Sequence, residues 1–190
     1  MSAHWPDAAA GVEAALFDET LACEAILPAG FAPGTGAAQL QQAEALLKGL
    51  AQVEDLRGED SGEEKRGELP QLAQRMDAKL DLLLVLLGRL VRQSAHALPA
   101  QPLRWSVHGL RLAVPDDAGL AIGSAGIVRL QPSEWLPDDL ELPATVAASA
   151  LVDGQAWLWL RFRPLPASLE DALERHLFRM HRREVAARRR

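Results

Sequence analysis

The period of the hydrophobic pattern changes near residue 98, and this change separates two kinds of predicted element. Between residues 37 and 97, apolar side chains recur every three or four positions, which is the spacing of helices. Beyond that point, short apolar runs alternate with turn residues, as they do in antiparallel sheets. The sequence therefore predicts an α+β chain in three parts: an N-terminal segment over 1–36, a helical insertion over 37–97, and a sheet with a C-terminal helix over 98–190.

The insertion is predicted to begin with a helix over Ala37–Leu56. Its apolar stripe combines residues that are three and four positions apart, namely Leu40, Ala43, Leu46, Leu47, Leu50 and Val53. Residues 57–68 are charged and contain several glycines, so they predict a solvated loop after this helix.

A second and longer helix is predicted over Leu69–His96, and it is unusually apolar. Nine of the twelve residues from 80 to 91 are Leu or Val, and they lie on almost every face of the helix. A helix on a domain surface needs only one apolar stripe, and a membrane span needs about 20 apolar residues. We therefore expect this helix to be contacted on several sides without crossing a membrane.

A heptad frame fits the second helix and predicts self-association through a coiled coil. Its a and d positions are apolar, and its e and g positions are apolar as well, which widens the seam and favours three or four strands over two. The predicted interface contains Met76, Leu80, Leu83, Leu84, Leu86, Leu87, Leu90 and Val91. The alternative is a two-helix hairpin that packs inside one subunit.

Six strands and a final helix are predicted for the remaining segments. The strands are expected at Thr20–Leu27, Leu103–Val107, Leu110–Val114, Gly126–Leu130, Leu140–Leu151 and Ala156–Phe162. Asp153 and Gly154 separate the last two strands and predict a tight hairpin. The helix is expected over Leu169–Ala187, with Ser168 as its N-cap and Asp171 as the capping-box partner. Strands at this spacing predict a small antiparallel barrel.

The overall charge and the single cysteine narrow the possible functions. The net charge is -6 and the pI is about 5.4, which argues against a general nucleic-acid or membrane-surface binder. Arginines cluster near the C-terminus, so a nucleic-acid contact of this basic tail is an alternative, less favoured hypothesis.

Cys23 is the only cysteine, so we expect it to be buried on its strand and no internal disulfide to form. The N-terminus lacks the pattern of a signal peptide, and the expected location is the cytoplasm.

No set of residues in the sequence predicts catalysis. The five histidines are scattered, and His176 and His181 are five positions apart, which is not the spacing of two metal ligands on one helix face. The glycines at positions 119, 123 and 126 lead into no predicted helix, so they do not form a phosphate-binding loop. The sequence therefore predicts a protein that is not an enzyme and has no metal or cofactor.

One segment and its setting resemble the PilZ domain. The segment reads Arg104-Trp105-Ser106-Val107-His108-Gly109, and strands, turns and an Arg-rich closing helix follow it. The resemblance covers roughly residues 103–185, with Thr20–Leu27 as the candidate first strand. It implies a six-stranded barrel of a family that commonly senses cyclic di-GMP. It also implies a degenerate ligand site at Arg104, Ser106 and Gly109, where Arg104 replaces the acid of the family's Asp/Asn-x-Ser-x-x-Gly motif.

The second ligand motif of the PilZ family is absent. That motif, Arg-x-x-x-Arg before the first strand, supplies guanidinium groups that hold phosphates, but no arginine precedes Arg57 here. The resemblance therefore argues against binding of cyclic di-GMP by the usual motifs. The alternative is a receptor with a displaced site, whose cations would come from Arg104, Arg111, Arg161, Arg163 and the C-terminal arginines.

The two predicted helices between the first and second strands depart from the ordinary PilZ pattern. They resemble an atypical subgroup that is independent of cyclic di-GMP and self-associates as a tetramer through a heptad helix. This resemblance implies a homo-oligomeric, non-catalytic regulatory module that contacts a protein partner in motility, pilus, biofilm or virulence signalling.

Overall fold

The computed structural model describes residues 5–35, 37–59, 98–114, 119–133 and 138–188, together with residues 76, 80 and 136. Three helices and six strands lie in the longer of these ranges. In chain order they are α1 (Asp7–Phe17), β1 (Cys23–Pro33), α2 (Leu40–Glu59), β2 (Ala100–Trp105), β3 (Gly109–Val114), β4 (Ala125–Leu130), β5 (Leu140–Val152), β6 (Gln155–Phe162) and α3 (Ala167–Arg188).

The six strands form one antiparallel sheet that closes on itself in the order β1-β2-β3-β6-β5-β4. Closure depends on β1, because its first half pairs with β2 and its second half pairs with β4. The change of partner falls between Pro28 and Ala29. The Pro28 carbonyl accepts a hydrogen bond from the Gln131 amide at 2.9 Å, and the Ala29 amide donates to the Pro99 carbonyl at 3.1 Å.

The first strand is present, but its predicted bounds, Thr20–Leu27, are wrong. The strand begins at Cys23 and continues to Pro33. Proline lacks the amide hydrogen that a sheet ladder uses, but Pro28 lies where β1 leaves one neighbour and joins the other. The missing donor is therefore tolerated where the strand changes its partner.

The other five predicted strands are confirmed to within a few residues at their ends. The predicted hairpin between β5 and β6 is confirmed as well. Asp153 and Gly154 both have positive φ angles, of 52° and 77°. This backbone matches the twist of two antiparallel strands, and it explains why Asp and Gly occupy the turn.

The inward-facing side chains of the sheet form the main core, and α3 packs against that core. Trp105, Leu110 and Leu160 are fully buried inside the sheet, and Leu169 and Leu173 of α3 join them. The period of two in the strands and the period near 3.6 in α3 place these apolar residues on facing sides.

Two polar groups, one on β1 and one on α3, are buried where α3 packs on the sheet. The Cys23 thiol is buried, as predicted, and donates to the Leu177 carbonyl at 3.3 Å. Burial raises the pKa of this thiol. His176 is buried edge-on to Trp105, with 5.6 Å between ring centroids, and burial lowers its pKa to about 4, which keeps the imidazole neutral at pH 7.

The predicted N-cap of the last helix is wrong. The helix begins at Ala167, because the Pro166 carbonyl accepts hydrogen bonds from the amides of Leu169 at 2.9 Å and Glu170 at 3.0 Å. Ser168 therefore lies inside the first turn. Its hydroxyl donates to the Glu44 carboxylate of α2 at 2.8 Å and ties the two helices together.

The predicted first helix of the insertion is confirmed as α2, and its apolar stripe faces the sheet and α3. Ala43 and Leu47 are buried in the main core. An ion pair between Glu54 and Arg183 adds a second link between α2 and α3. This helix therefore anchors the insertion to the sheet domain.

The predicted second helix of the insertion lies outside the described residues, except at two positions. Met76 and Leu80 are helical, and they are 58% and 56% exposed in the single chain. The other residues of the predicted interface are not among those described: Leu83, Leu84, Leu86, Leu87, Leu90 and Val91. Within the described part of the chain, no helix has both the length and the apolar character that a membrane crossing requires.

Candidate functional site

The residues of the degenerate ligand motif lie together on the outer surface of the closed sheet. Arg104 is on β2, Ser106 follows β2, and Gly109 begins β3. Arg111, a cation of the alternative displaced site, is the neighbour of Arg104 across the β2–β3 pair. Helix α1 lies over this part of the surface and contacts all four residues.

Ser106 is fully buried, and its hydroxyl already has two partners. The Oγ atom donates to the carbonyl of Leu16 in α1 at 2.7 Å and accepts a hydrogen bond from the amide of His108 at 3.0 Å. The first bond satisfies a carbonyl in the last turn of α1, and the second shapes the turn before β3. The motif serine therefore holds α1 and its own turn.

Gly109 is required by the close approach of two other elements. A Cβ atom at this position would lie 2.3 Å from the carbonyl oxygen of Leu160 in β6 and 2.9 Å from Cδ2 of Leu16 in α1. No side chain fits between these atoms, so the motif glycine serves packing of β3 against β6 and α1.

Arg104 and Arg111 converge on one carboxylate of α1. Oε1 of Glu13 accepts hydrogen bonds from Nη1 of Arg104 at 2.9 Å and from Nη1 of Arg111 at 2.5 Å. Oε2 accepts a hydrogen bond from the indole nitrogen of Trp159 at 2.7 Å. Glu13 is only 7% exposed, and a buried carboxylate needs such charged and polar partners to offset its desolvation.

Aromatic rings cover the two guanidinium groups from the other side. Arg104 lies 4.8 Å from the ring centroid of Phe17, and Arg111 lies 4.6 Å from Trp5 and 5.2 Å from Trp157. These distances are those of cation–π contacts. Arg111 is thus enclosed by α1, by the segment before it and by β6, whereas Arg104 is covered by α1 and stays partly exposed.

Burial also affects the charge balance around Arg111. Desolvation lowers the pKa of this guanidinium, and the carboxylates of Glu13 and Glu24 oppose that shift. Arginine nevertheless stays protonated at any physiological pH. The surface under α1 therefore carries two positive charges, which the buried Glu13 and the mostly exposed Glu24, at 3.5 Å from Arg111, neutralise.

The remaining arginines of the predicted displaced site do not join this cluster. Arg161 and Arg163 are exposed at the end of β6 and beyond it. In α3, Arg183 pairs with Glu54 of α2, and Arg188 pairs with Glu184. The last two residues of the chain lie outside the described ranges. The structure thus brings Arg104 and Arg111 together on one carboxylate, while Arg161 lies opposite Gly109 in the β3–β6 pair and is exposed.

The roles of α1 and Glu13 are not among the features that the sequence predicts. A usable signal was present, since Glu13 is the only charged residue between positions 8 and 17, a segment of small and apolar residues. A lone carboxylate on an apolar helix predicts a buried partner of opposite charge. The sequence does not reveal which arginines provide it, because 91 and 98 residues separate Glu13 from Arg104 and Arg111.

Among the residues that the structure describes, no three His, Cys, Asp or Glu side chains are close enough to share a metal ion. The polar groups under α1 are donors that already contact one carboxylate. This arrangement is suited to holding a helix that carries an acidic side chain.

The chain is similar to proteins of one domain family. Residues 47–190 match the family model described as atypical PilZ domain, cyclic di-GMP receptor. The crystal structure of a pathogenic protein from Xanthomonas campestris is 54% identical in sequence, with a TM-score of 0.79, over 96% of this chain and 99% of that chain. That protein is described as a tetrameric PilZ domain self-assembled via an unusual helical bundle.

Two further structures share a smaller part of the chain. The inhibitor of motility MotI/DgrA from Bacillus subtilis is 19% identical, with a TM-score of 0.37, over 44% of this chain and 40% of that chain. The PilZ domain of YcgR from Escherichia coli with c-di-GMP is 19% identical, with a TM-score of 0.36, over 46% of this chain and 76% of that chain. These two likenesses are too low to support an argument. No curated protein matches the chain.

The packing role of Gly109 predicts a large effect of a single methyl group. Gly109→Ala is expected to lower the free energy of unfolding by about 3 kcal/mol, because the Cβ atom would meet a backbone oxygen of β6 that can move only with its strand. Gly49→Ala in α2 is the matched control, since open space surrounds Gly49 and alanine favours a helix. Denaturant unfolding of both variants measures the difference, and equal stabilities would contradict the packing role.

Proposed function

Because this chain belongs to the atypical PilZ domain family, we propose that it is an oligomeric, non-catalytic interaction module that regulates bacterial motility, pilus function or virulence from the cytoplasm. PilZ domains are regulatory binding domains and not enzymes. The observation that carries the proposal is that Arg104, Ser106 and Gly109 all contact α1. The degenerate motif serves the protein's own helix, so the function is assigned to assembly and protein contacts.

Tetramer formation through the second helix of the insertion is supported by two observations. The Xanthomonas campestris relative, at 54% identity, is described as self-assembled via a helical bundle. In this chain, Met76 and Leu80 are helical and mostly exposed, although they fall on the predicted seam. Exposed leucine and methionine at heptad positions are typical of residues that a partner helix covers.

Assembly would raise the overall affinity for a partner that each sheet domain binds only weakly. A bundle of insertion helices would carry several copies of the sheet domain, and each copy could bind one site of a repeated or clustered partner. Linked binding sites raise the overall affinity without any new contact. Such a gain in affinity gives the sheet domain a function in protein binding even when its nucleotide motif has changed.

The assembly proposal predicts the mass of the protein in solution. The intact chain, of 20.6 kDa, should form a species larger than a dimer, with a mass near that of a tetramer. Leu83→Asp/Leu87→Asp should dissociate or aggregate, because it places carboxylates in an apolar seam. Light scattering measures both masses.

A matched control separates the seam from apolar surface in general. Ile122→Asp/Leu151→Asp introduces the same charges at two exposed apolar residues of the sheet domain, which are 68% and 69% exposed, and it should keep the mass of the intact protein. A monomeric intact chain would contradict the assembly proposal.

The second candidate function is a receptor for cyclic di-GMP with a displaced, Arg-based site. It is favoured by the description of the family model as a cyclic di-GMP receptor and by the pair Arg104 and Arg111 on one surface. It is disfavoured by Glu13, because a phosphate would have to replace this carboxylate on both guanidinium groups. Among the other proposed cations, Arg183 and Arg188 already have carboxylate partners.

Calorimetry separates the two candidate functions. We expect no binding of cyclic di-GMP to the intact chain at concentrations up to about 100 µM, because Glu13 already satisfies the two arginines. Micromolar binding that is lost in Arg104→Ala would establish the receptor function instead.

A further inference from the structure

The strand ladder under α1 closes without α1. Each of the six strands pairs with two neighbours around the closed sheet, so α1 supplies no strand and no backbone ladder. The helix lies on the outside and reaches β1 through residues 18–22. Its buried contacts form a small cluster that is separate from the main core. The helix can therefore leave the sheet without opening the main core.

The uncovered surface would have a definite chemistry. We name it the α1 wall and define it by the outward side chains of Arg104, Arg111, Ala148, Trp157 and Trp159. Two guanidinium groups and the indole N–H of Trp159 all point at one carboxylate position. Without an acid at that position, the two positive charges would lie side by side on β2 and β3, with only the exposed Glu24 nearby.

We infer that the α1 wall is a docking surface for an acidic amphipathic helix of a partner protein, and that α1 is the resident helix with which the partner competes. This inference rests on the proposed function as an interaction module and names its contact surface. Charge complementarity carries it, since the wall presents paired arginines to a single buried carboxylate. Grooves that bind such helices are known to select residues three and four positions apart.

Helix α1 shows which residues a competing helix would need. Ala9, Glu13, Leu16 and Phe17 share one buried face, at spacings of four, three and one residue. The alanine allows close approach, the carboxylate reaches the arginines, and the two large apolar residues contact the end of the wall. A partner helix of this class therefore has a small residue, an acid four positions later and bulky apolar residues three and four positions after the acid.

A full-length variant with a reversed charge tests the inference. Glu13→Lys places a third cation beside Arg104 and Arg111 and should release α1 from the wall. The probe is a synthetic peptide of residues 5–18 with an N-terminal fluorophore, and its binding is measured by fluorescence anisotropy. We expect the peptide to bind Glu13→Lys at least about tenfold more tightly than it binds the wild-type chain.

Two controls make the readout specific. Glu19→Lys changes the net charge equally at an exposed position outside α1, and it should bind the peptide no better than the wild type. A peptide that carries Glu13→Gln should bind Glu13→Lys at least about tenfold more weakly than the parent peptide. Equal binding to Glu13→Lys and Glu19→Lys would overturn the inference. Displacement of the labelled peptide from Glu13→Lys by unlabelled wild-type chain would also overturn the inference. The helix that occupies the wall would then come from a second copy of this chain and not from a partner protein.

Hydrogen exchange of the wild-type chain provides a test that does not require a variant to fold. Amide hydrogens of α1 should exchange through local opening, with protection factors at least about tenfold lower than those of β3 and β6. Equal protection of α1 and β6 would overturn the inference, because α1 would then open only when the whole domain unfolds. Neither readout depends on the mass of the assembly, so failure of the assembly proposal would be recognised separately by light scattering.

Discussion

Closure of the sheet through β1 is the constraint on which the other elements depend. One strand must pair with β2 along its first half and with β4 along its second half, and the backbone at Pro28 and Ala29 allows this change of partner. The insertion lies between β1 and β2 in the sequence, and these two strands are paired neighbours, so both ends of the insertion join adjacent strands. The outside of the same sheet then presents β2, β3 and β6 to α1.

In the surface covered by α1, all three residues of the predicted degenerate motif contact the chain's own helix. Ser106 binds a carbonyl of α1, Gly109 admits a leucine of α1, and Arg104 joins Arg111 on the carboxylate of Glu13. The partner of Arg104 is thus an acid of the same chain. The electrostatics of this surface are thus suited to an acidic helix, and the predicted interface of the insertion lies in another part of the chain.

The sequence predicted the elements whose signal is local and missed those that depend on distant partners. Five strands, α2 and the Asp153–Gly154 hairpin follow from periodicity and turn chemistry. The first strand was placed wrongly, because the tolerance of Pro28 depends on two strands far along the chain. Ser168 looked like an N-cap, but Pro166 begins the helix and the hydroxyl contacts Glu44. The partners of Glu13 were not predictable, because nothing in the local sequence of α1 indicates β2 and β3.

Glu13 holds the two arginines of this surface, and a double-mutant cycle with Arg111 measures that interaction. The free energies of unfolding of Glu13→Gln, Arg111→Met and the double variant are compared with that of the wild type. The buried contact at 2.5 Å predicts a coupling free energy between about 1 and 3 kcal/mol. Single-variant effects that add to within about 0.5 kcal/mol would contradict the claim, because independent residues show such additivity.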